Sequence, residues 1–355
     1  MKKYNVIGVM SGTSVDGLDL SFCRFTKNKK WQYEILNSKT YPYCNFWKKT
    51  LINLHLENKK KIKEIDIKFA KYIGEKINHF IKKNKIKADV ISSHGHTVFH
   101  DPSKKITLQI GSGKVINEIC GLTTVNNFRK KDVNLGGQGA PLVPIGDKLL
   151  FQQYKYCLNI GGFANLSIKS NNSIKAFDIC PANIALNFYT RKLGKEFDIG
   201  GEISRTGNVI KSLYKELNKI QFYSSNSPKS LSREWLEQNF LTKVSNSFKV
   251  RDILRTIVEH IAFQIGRNLK SQKTLVTGGG AKNKFLVNRI CNFSSSEIII
   301  PSKDLIDFKE AMIFGFLAVL RLNDEINCLK SVTGAVKDSI VGDVYKLCWN
   351  VLNVI

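Results

Sequence analysis

The sequence predicts an α/β protein of two tandem lobes, each running strand, strand, strand, helix, strand, helix, strand, helix. Three observations support this. The order of apolar segments in the first half recurs in the second, and a small-residue turn stands between the first two strands of each repeat. The chain of 355 residues, 43% of them hydrophobic, is also long enough for roughly two domain cores.

In the first half, 5–10 and 18–25 read as strands joined by a Gly/Ser/Thr turn, with 31–40 as a third. Ile62, Ile65, Phe69, Ile73, Ile77 and Phe80 recur at steps of three and four, which predicts an amphipathic helix ending near the lysine-rich 82–87. A short buried strand at 88–92 follows, then strand 106–110, helix 113–120, strand 122–125 and the turn Gly136–Gly139 before Ala140-Pro141. The second half offers strands 156–160, 164–168 and 173–177, then helical segments 183–192, 207–219 and 247–270. In the last of these Ile253, Ile257, Ile261 and Ile265 lie at i+4 spacing. Strand 273–277, Gly278–Gly280, helix 281–291, strand 296–300 and helix 309–322 complete it. No Pro/Gly/Ser linker intervenes, so the boundary falls within 136–155. The lobes are expected at 1–145 and 146–355, with the C-terminal segment packing back on the first.

Composition excludes several classes. The longest apolar run, Ala311 to Leu320, is ten residues, about half of a membrane span. The N-terminus lacks a cleavable signal pattern, so the chain is expected to begin at Met1 and work in the cytoplasm. Eight cysteines are scattered with no CxxC pair, which suits reduced thiols and neither a disulfide frame nor a zinc site. The net charge of +26 comes mostly from lysines in short groups such as 59–63, 82–87 and 104–105. This is the pattern of solvated faces, and no helix-turn-helix, zinc-finger or RNP-type segment accompanies it, so neither a nucleic acid nor a membrane is the expected partner.

Chemistry concentrates in the turns. The first holds Gly12, Thr13, Ser14, Val15, Asp16, Gly17, Leu18 and Asp19. Glycines there admit a phosphate to the backbone, hydroxyls donate to its oxygens, and Asp16 or Asp19 offers hard oxygens to a hydrated Mg²⁺. A plain hairpin uses the same residues. Asn159, Gly161, Gly162 and Asn165 form the matching turn of the second half, and Gly278, Gly279 and Gly280 follow a strand where a nucleoside could pack on backbone. Neither a Walker loop nor GxGxxG is present. His94 and His96, two apart on a strand, with His100, are the one metal-like spacing. No protein metal cage is expected from this pattern.

The stretches GVMSGTSVDGLDL, SSHGHTVFHDP, LQIG, FRKKDVNLGGQGAPLVP, LNIGGFANLS, TGGGAKNKFLV and EAMIFGFLA occur in that order from residue 8 to 318. Together they closely resemble the anhydro-N-acetylmuramic acid kinases of bacterial cell-wall recycling, within the actin/hexokinase/Hsp70 superfamily. The resemblance implies two actin/hexokinase-like (ribonuclease H-like) lobes around a nucleotide cleft, with ATP and Mg²⁺ as cofactors and a homodimer as the assembly. It implies hydrolysis of the 1,6-anhydro ring coupled to phosphorylation of O6, giving N-acetylmuramic acid 6-phosphate. Asp178 matches the family's general base, and His94, Asn127, Arg129 and Glu310 match positions lining the sugar site. From position alone, Asp178 could equally cap the helix near Pro181, and Glu310 could be a dipole-favoured residue at a helix start.

Some positions depart from the family pattern. Asn127 stands where Asp is usual, Gln is usual at His96, and Lys229-Ser230-Leu231-Ser232-Arg233 replaces Lys-Ser-Thr-Gly-Arg. Cys180 and Ala182 replace two glycines of a D-x-G-P-G-N segment, which predicts a stiffer and narrower approach to Asp178. Another sugar as substrate, or a silent sugar- or nucleotide-binding relative, are the alternatives these changes raise.

Overall fold

The computed structural model describes residues 2–171, 173–225, 229–245 and 247–346; Cys348 lies outside them. The chain forms two compact units, one of Met1–Leu150 with the chain from Phe308 onward, the other of Phe151–Asp307. The first unit reaches Leu150 because the last helix before the crossing is fixed to it. There Asp147 pairs with Lys309 at 2.7 Å, and a Cβ at Gly146 would lie 2.8 Å from Ile313.

The first unit opens with an antiparallel meander, β1 (Lys2–Ser11), β2 (Gly17–Lys27) and β3 (Trp31–Pro42). Helices α1 (Asn45–Asn53) and α2 (Lys59–Asn84) lead to β4 (Val90–Asp101), which runs parallel to β1. Next come β5 (Ile106–Ile110), folded back on β4, α3 (Gly113–Cys120), β6 (Thr123–Asn126), parallel to β4, α4 (Lys130–Asn134) and α5 (Pro144–Leu150). The apolar stripe foreseen for α2 is buried along its whole length, with Ile62, Ile65, Phe69, Ile73, Ile77 and Phe80 in one cluster with the β1 and β2 side chains Ile7, Val9 and Leu20. Asn58 starts this helix by accepting from the Lys61 amide at 2.9 Å.

The second unit repeats the plan. Strands β7 (Tyr156–Ile160), β8 (Phe163–Lys169) and β9 (Ile174–Pro181) form its meander. Helices α6 (Asn183–Arg191), α7 (Glu202–Arg205), α8 (Lys211–Asn218), α9 (Arg233–Trp235) and α10 (Val250–Gly266) follow, then β10 (Lys273–Thr277), α11 (Lys284–Phe293) and β11 (Glu297–Ile299). The i+4 isoleucines of α10 are all in the core. Helix α12 (Lys303–Leu322) returns the chain to the first unit, where α13 (Lys330–Thr333) and β12 (Asp343–Tyr345), antiparallel to β6, end the described chain. The two sheets run β3-β2-β1-β4-β6 and β9-β8-β7-β10-β11, with the same directions strand for strand. This is a duplicated α/β fold, each unit built on the same strand order and directions.

The apolar run Ala311–Leu320 is the core of α12, with Gly315 its one glycine. Helix and strand approach at Gly8, where a Cβ would meet the Ala311 carbonyl at 1.9 Å, so glycine alone lets α12 lie on β1. Among the described residues no helix is long and apolar enough to cross a membrane.

Candidate active site

Strand β4 is longer than the sequence signal at 88–92, continuing through His94 and His96 to Asp101. One extra residue enters it opposite Val9–Ser11, at Gly95, whose φ is +73°. This bulge breaks the alternation that would put His94 and His96 on one face. His94 packs with its ring centroid 4.6 Å from that of Phe314 on α12, the planes tilted by 58°, while His96 meets Phe69 of α2 and bonds Ser11 Oγ at 3.0 Å. The two imidazoles lie on opposite sides of the sheet, which removes the metal reading of the pair.

His94 bonds instead to Arg129, whose Nε donates to His94 Nε2 at 2.9 Å. The guanidinium also donates to the Gly139 carbonyl at 2.7 Å, within the Gly136–Gly139 turn. Burial holds the His94 pKa well below that of a free imidazole, and the neighbouring Arg129 charge adds to this. Glu310 completes the group. Helix α12 begins at Lys303, so Glu310 sits two turns inside it and is not a dipole-favoured terminal residue. Its side chain reaches solvent, yet the protein packed around the carboxyl raises its pKa, with Arg129 and Lys309 opposing this and Asp19 adding to it. Asn127 has left-handed backbone, φ +57°, and its amide donates to Asp343 on β12 at 2.7 Å. An aspartate there would face Asp343 with like charge, so the Asn and this neighbour agree.

Of the first turn, Thr13, Ser14 and Asp16 are exposed, and a Cβ at Gly12 would meet nothing nearer than Ser14 Oγ at 3.6 Å. Val15 and Leu18 belong to the core, and Gly17 is demanded by Tyr41, whose carbonyl would be 2.7 Å from a Cβ. Asp19 accepts from Thr40 Oγ1 at 2.5 Å. The second turn is shorter, Gly161-Gly162 alone between β7 and β8, so the two turns match in topology but not in length. Their carbonyls are already used, Gly162 accepting from the Ala182 and Ile184 amides and Gly161 from that of Asn183. The start of α6 is thereby closed by backbone. Asn159 and Asn165 face each other across β7 and β8, both half-buried.

The triple glycine divides by role. A Cβ at Gly278 would be 2.5 Å from Asn159 Oδ1, and one at Gly280 would be 2.2 Å from Ile160. Gly279 is exposed, with nothing nearer than Asn183 at 3.7 Å. The expected helix at 281 begins later, after a 3₁₀ turn Gly279–Lys282, and is capped by Asn283, whose side chain accepts from Leu286 at 2.9 Å.

Asp178 lies within β9 and not beyond it, because the strand runs on to Pro181. Helix α6 has Ala182 at its N-cap with no side-chain cap, which removes the capping reading of Asp178. A register shift between Ala164/Asn165 leaves Ile179 unpaired, so Ile179 and Cys180 both enter the core while Asp178 stays half-buried beside Asn165. Its Oδ2 accepts from the Leu231 amide at 2.9 Å, and its own amide donates to the Lys229 carbonyl at 3.0 Å. Partial burial raises its carboxyl pKa, with the Leu231 bond pulling the other way. The 229–231 segment is thus part of the site and was missed as such, although its departing KSLSR sequence marked it.

A family model described as anhydro-N-acetylmuramic acid kinase matches residues 4–347. The chain belongs to the anhydro-N-acetylmuramic acid kinase family. A relative of that name from Sulfurimonas denitrificans is 32% identical, covering 96% of this chain and 99% of its own. One from Coxiella burnetii is 33% identical over 97% and 98%. Among solved structures, the activator of the 2-hydroxyisocaproyl-CoA dehydratase from Clostridium difficile with bound ADPNP aligns at TM-score 0.45 and 14% identity, covering 90% and 97% of the two chains. Against the pattern of the anhydro-N-acetylmuramic acid kinases, Cys180 and Ala182 replace glycines without positive φ, and both are buried in the core. At Ala182 the backbone lies at φ −125° and ψ −104°, outside the helical and extended regions.

Proposed function

We propose that the chain is an ATP-dependent kinase acting on 1,6-anhydro-N-acetylmuramic acid, with ring hydrolysis coupled to phosphoryl transfer. The observation that supports this most is Asp178, a half-buried carboxylate with a raised pKa whose Oδ2 accepts from the Leu231 amide, leaving Oδ1 to a reacting water. As general base it takes a proton from water while the oxygen joins the anomeric carbon. The bond from that carbon to O6 breaks, and O6 takes the γ-phosphoryl group of ATP. His94, Asn127, Arg129 and Glu310 hold the sugar, Arg129 and Glu310 by charge-assisted bonds. We assign Gly12, Thr13 and Ser14, and likewise Gly161, Gly162 and Gly279, to nucleotide binding. Asp16, exposed, and Asp19, half-buried, are the hard-oxygen residues that fit a hydrated Mg²⁺ carried with ATP, and the ion would neutralise charge on the transferring phosphoryl group. We place this activity in the cytoplasm and in a homodimer, on the family resemblance.

The test is turnover with ATP and the anhydro sugar in ¹⁸O-labelled water. One ADP per labelled N-acetylmuramic acid 6-phosphate is expected. ADP release independent of the sugar, or none with it, would contradict the reading and favour a different sugar or a silent binding protein.

A further inference from the structure

Asp132 is fully buried in α4, one helical turn after Arg129. Its Oδ2 accepts from the Gly139 amide at 2.8 Å, and its Oδ1 from Thr333 Oγ1 at 2.8 Å and Cys328 Sγ at 3.0 Å. Three neutral donors serve this carboxylate, and among the described residues no lysine or arginine pairs with it. Burying a carboxylate without a counter-ion is costly, so a role in folding alone would be met more cheaply by an apolar side chain. The backbone is shaped around the charge. A Cβ at Gly137 would lie 2.2 Å from Asp132 Oδ2, so glycine there admits the carboxylate to the turn. Gly139, held by its amide, turns its carbonyl to Arg129, which in turn donates to His94.

We infer that Asp132 is a positioning residue for sugar binding, acting through Gly139 to set the Arg129 guanidinium against His94. This rests on the reading of Arg129 and His94 as sugar ligands. The two carboxylate oxygens separate the roles, since Oδ2 serves the turn and Oδ1 serves the segment around α13.

Asp132→Asn keeps the shape, but its one remaining oxygen cannot accept on both sides, and an amide placed against Gly139 opposes donor to donor. We expect the Kd for the anhydro sugar to rise about tenfold with the Kd for a non-hydrolysable ATP analogue unchanged, as loss of a buried bond at one ligand's site would give. Thr333→Val removes the donor to Oδ1, with the Oγ1 bonds to the Leu329 carbonyl and from the Ala335 amide, and should lower the melting temperature while leaving sugar affinity within about twofold. In an Arg129→Ala background Asp132→Asn should add no further loss, because the effect passes through Arg129. Additive losses, equal loss of both ligands, or an unchanged sugar Kd in Asp132→Asn would overturn the proposal. If Asp132→Asn does not fold, Gly139→Ala reaches the same joint from the turn, and failure of both to fold would assign the joint to the fold and sink the idea. Unchanged sugar affinity in Arg129→Ala alone would defeat the sugar-site reading, a result distinct from failure of Asp132→Asn with Arg129 sound.

Discussion

The Nε of Arg129 donates to Nε2 of His94 at 2.9 Å, and this one bond fixes the imidazole's proton. A guanidinium always donates, so His94 Nε2 must accept, and Nδ1 must carry the hydrogen that reaches the Gly95 carbonyl at 2.9 Å. The ring is a neutral, oriented group. A second proton would face Arg129 directly. The His94 imidazole resonances should therefore not titrate between pH 8 and 6 in two-dimensional NMR spectra, and a midpoint near 6.5 would contradict the assignment.

His96 extends the point to stability. It accepts from Ser11 Oγ, bonds the Leu51 carbonyl, and burial lowers its pKa to about 4 from 6.5. A folded pKa below the unfolded one means that the unfolded chain takes up the proton first. The contribution is fully present above pH 6.5 and is lost as pH falls toward 4. The raised carboxyls of Asp66, Asp178 and Glu310 contribute with opposite sign, so the histidine is isolated by His96→Gln, whose amide can make both bonds. The stability of wild type relative to this variant should fall by about 1 kcal/mol per pH unit over that range in urea titrations. A constant difference would mean that His96 is not held neutral.

Gly279 and its neighbours predict different losses. Gly279→Val has room in the fold and should keep the melting temperature within a few degrees while weakening ATP binding at least about tenfold, with little change in sugar binding. Gly280→Ala pushes a methyl into Ile160 and should cost about 1–3 kcal/mol of stability. Calorimetric titration of both ligands decides this, because unchanged ATP affinity in Gly279→Val takes the triple glycine out of the nucleotide site.

Lys309 and Asp147 form a buried pair at 2.7 Å, with side chains 8% and 3% exposed. Lys309→Met leaves a buried carboxylate without its cation and should destabilise the protein by about 3 kcal/mol, and adding Asp147→Leu should recover much of the loss. Denaturant midpoints for the single and double variants test this, and additive losses would show that the pair is not a unit.

Much of this was legible in the sequence because periodicity reports one-sided burial. The stripes of α2 and α10 and the two meanders each have one apolar face, and the repeated turns mark their order. The length of β4 and its bulge at Gly95 were not legible, since His94-Gly95-His96 interrupt the strand signal and the bulge is set by pairing with β1. The same holds for β9, whose last residues Asp178–Pro181 read as a helix entry but are held in the sheet by β8. Helix α5 belongs to the first unit through Lys309, far away in sequence, and no local pattern records such a partner. Likewise the split of the triple glycine into two packing positions and one open one depends on Ile160 and Asn159 across the sheet.

The central claim is that Asp178 is the base. Asp178→Asn can still offer an oxygen to the Leu231 amide, so the 229–231 segment and the fold should survive, with ATP affinity within about threefold of wild type. The amide cannot take the proton from water, so turnover at saturating ATP and anhydro sugar should fall by at least about a thousandfold. Near-normal turnover in a folded Asp178→Asn protein would show that this carboxylate only braces the sheet and that another group activates the water.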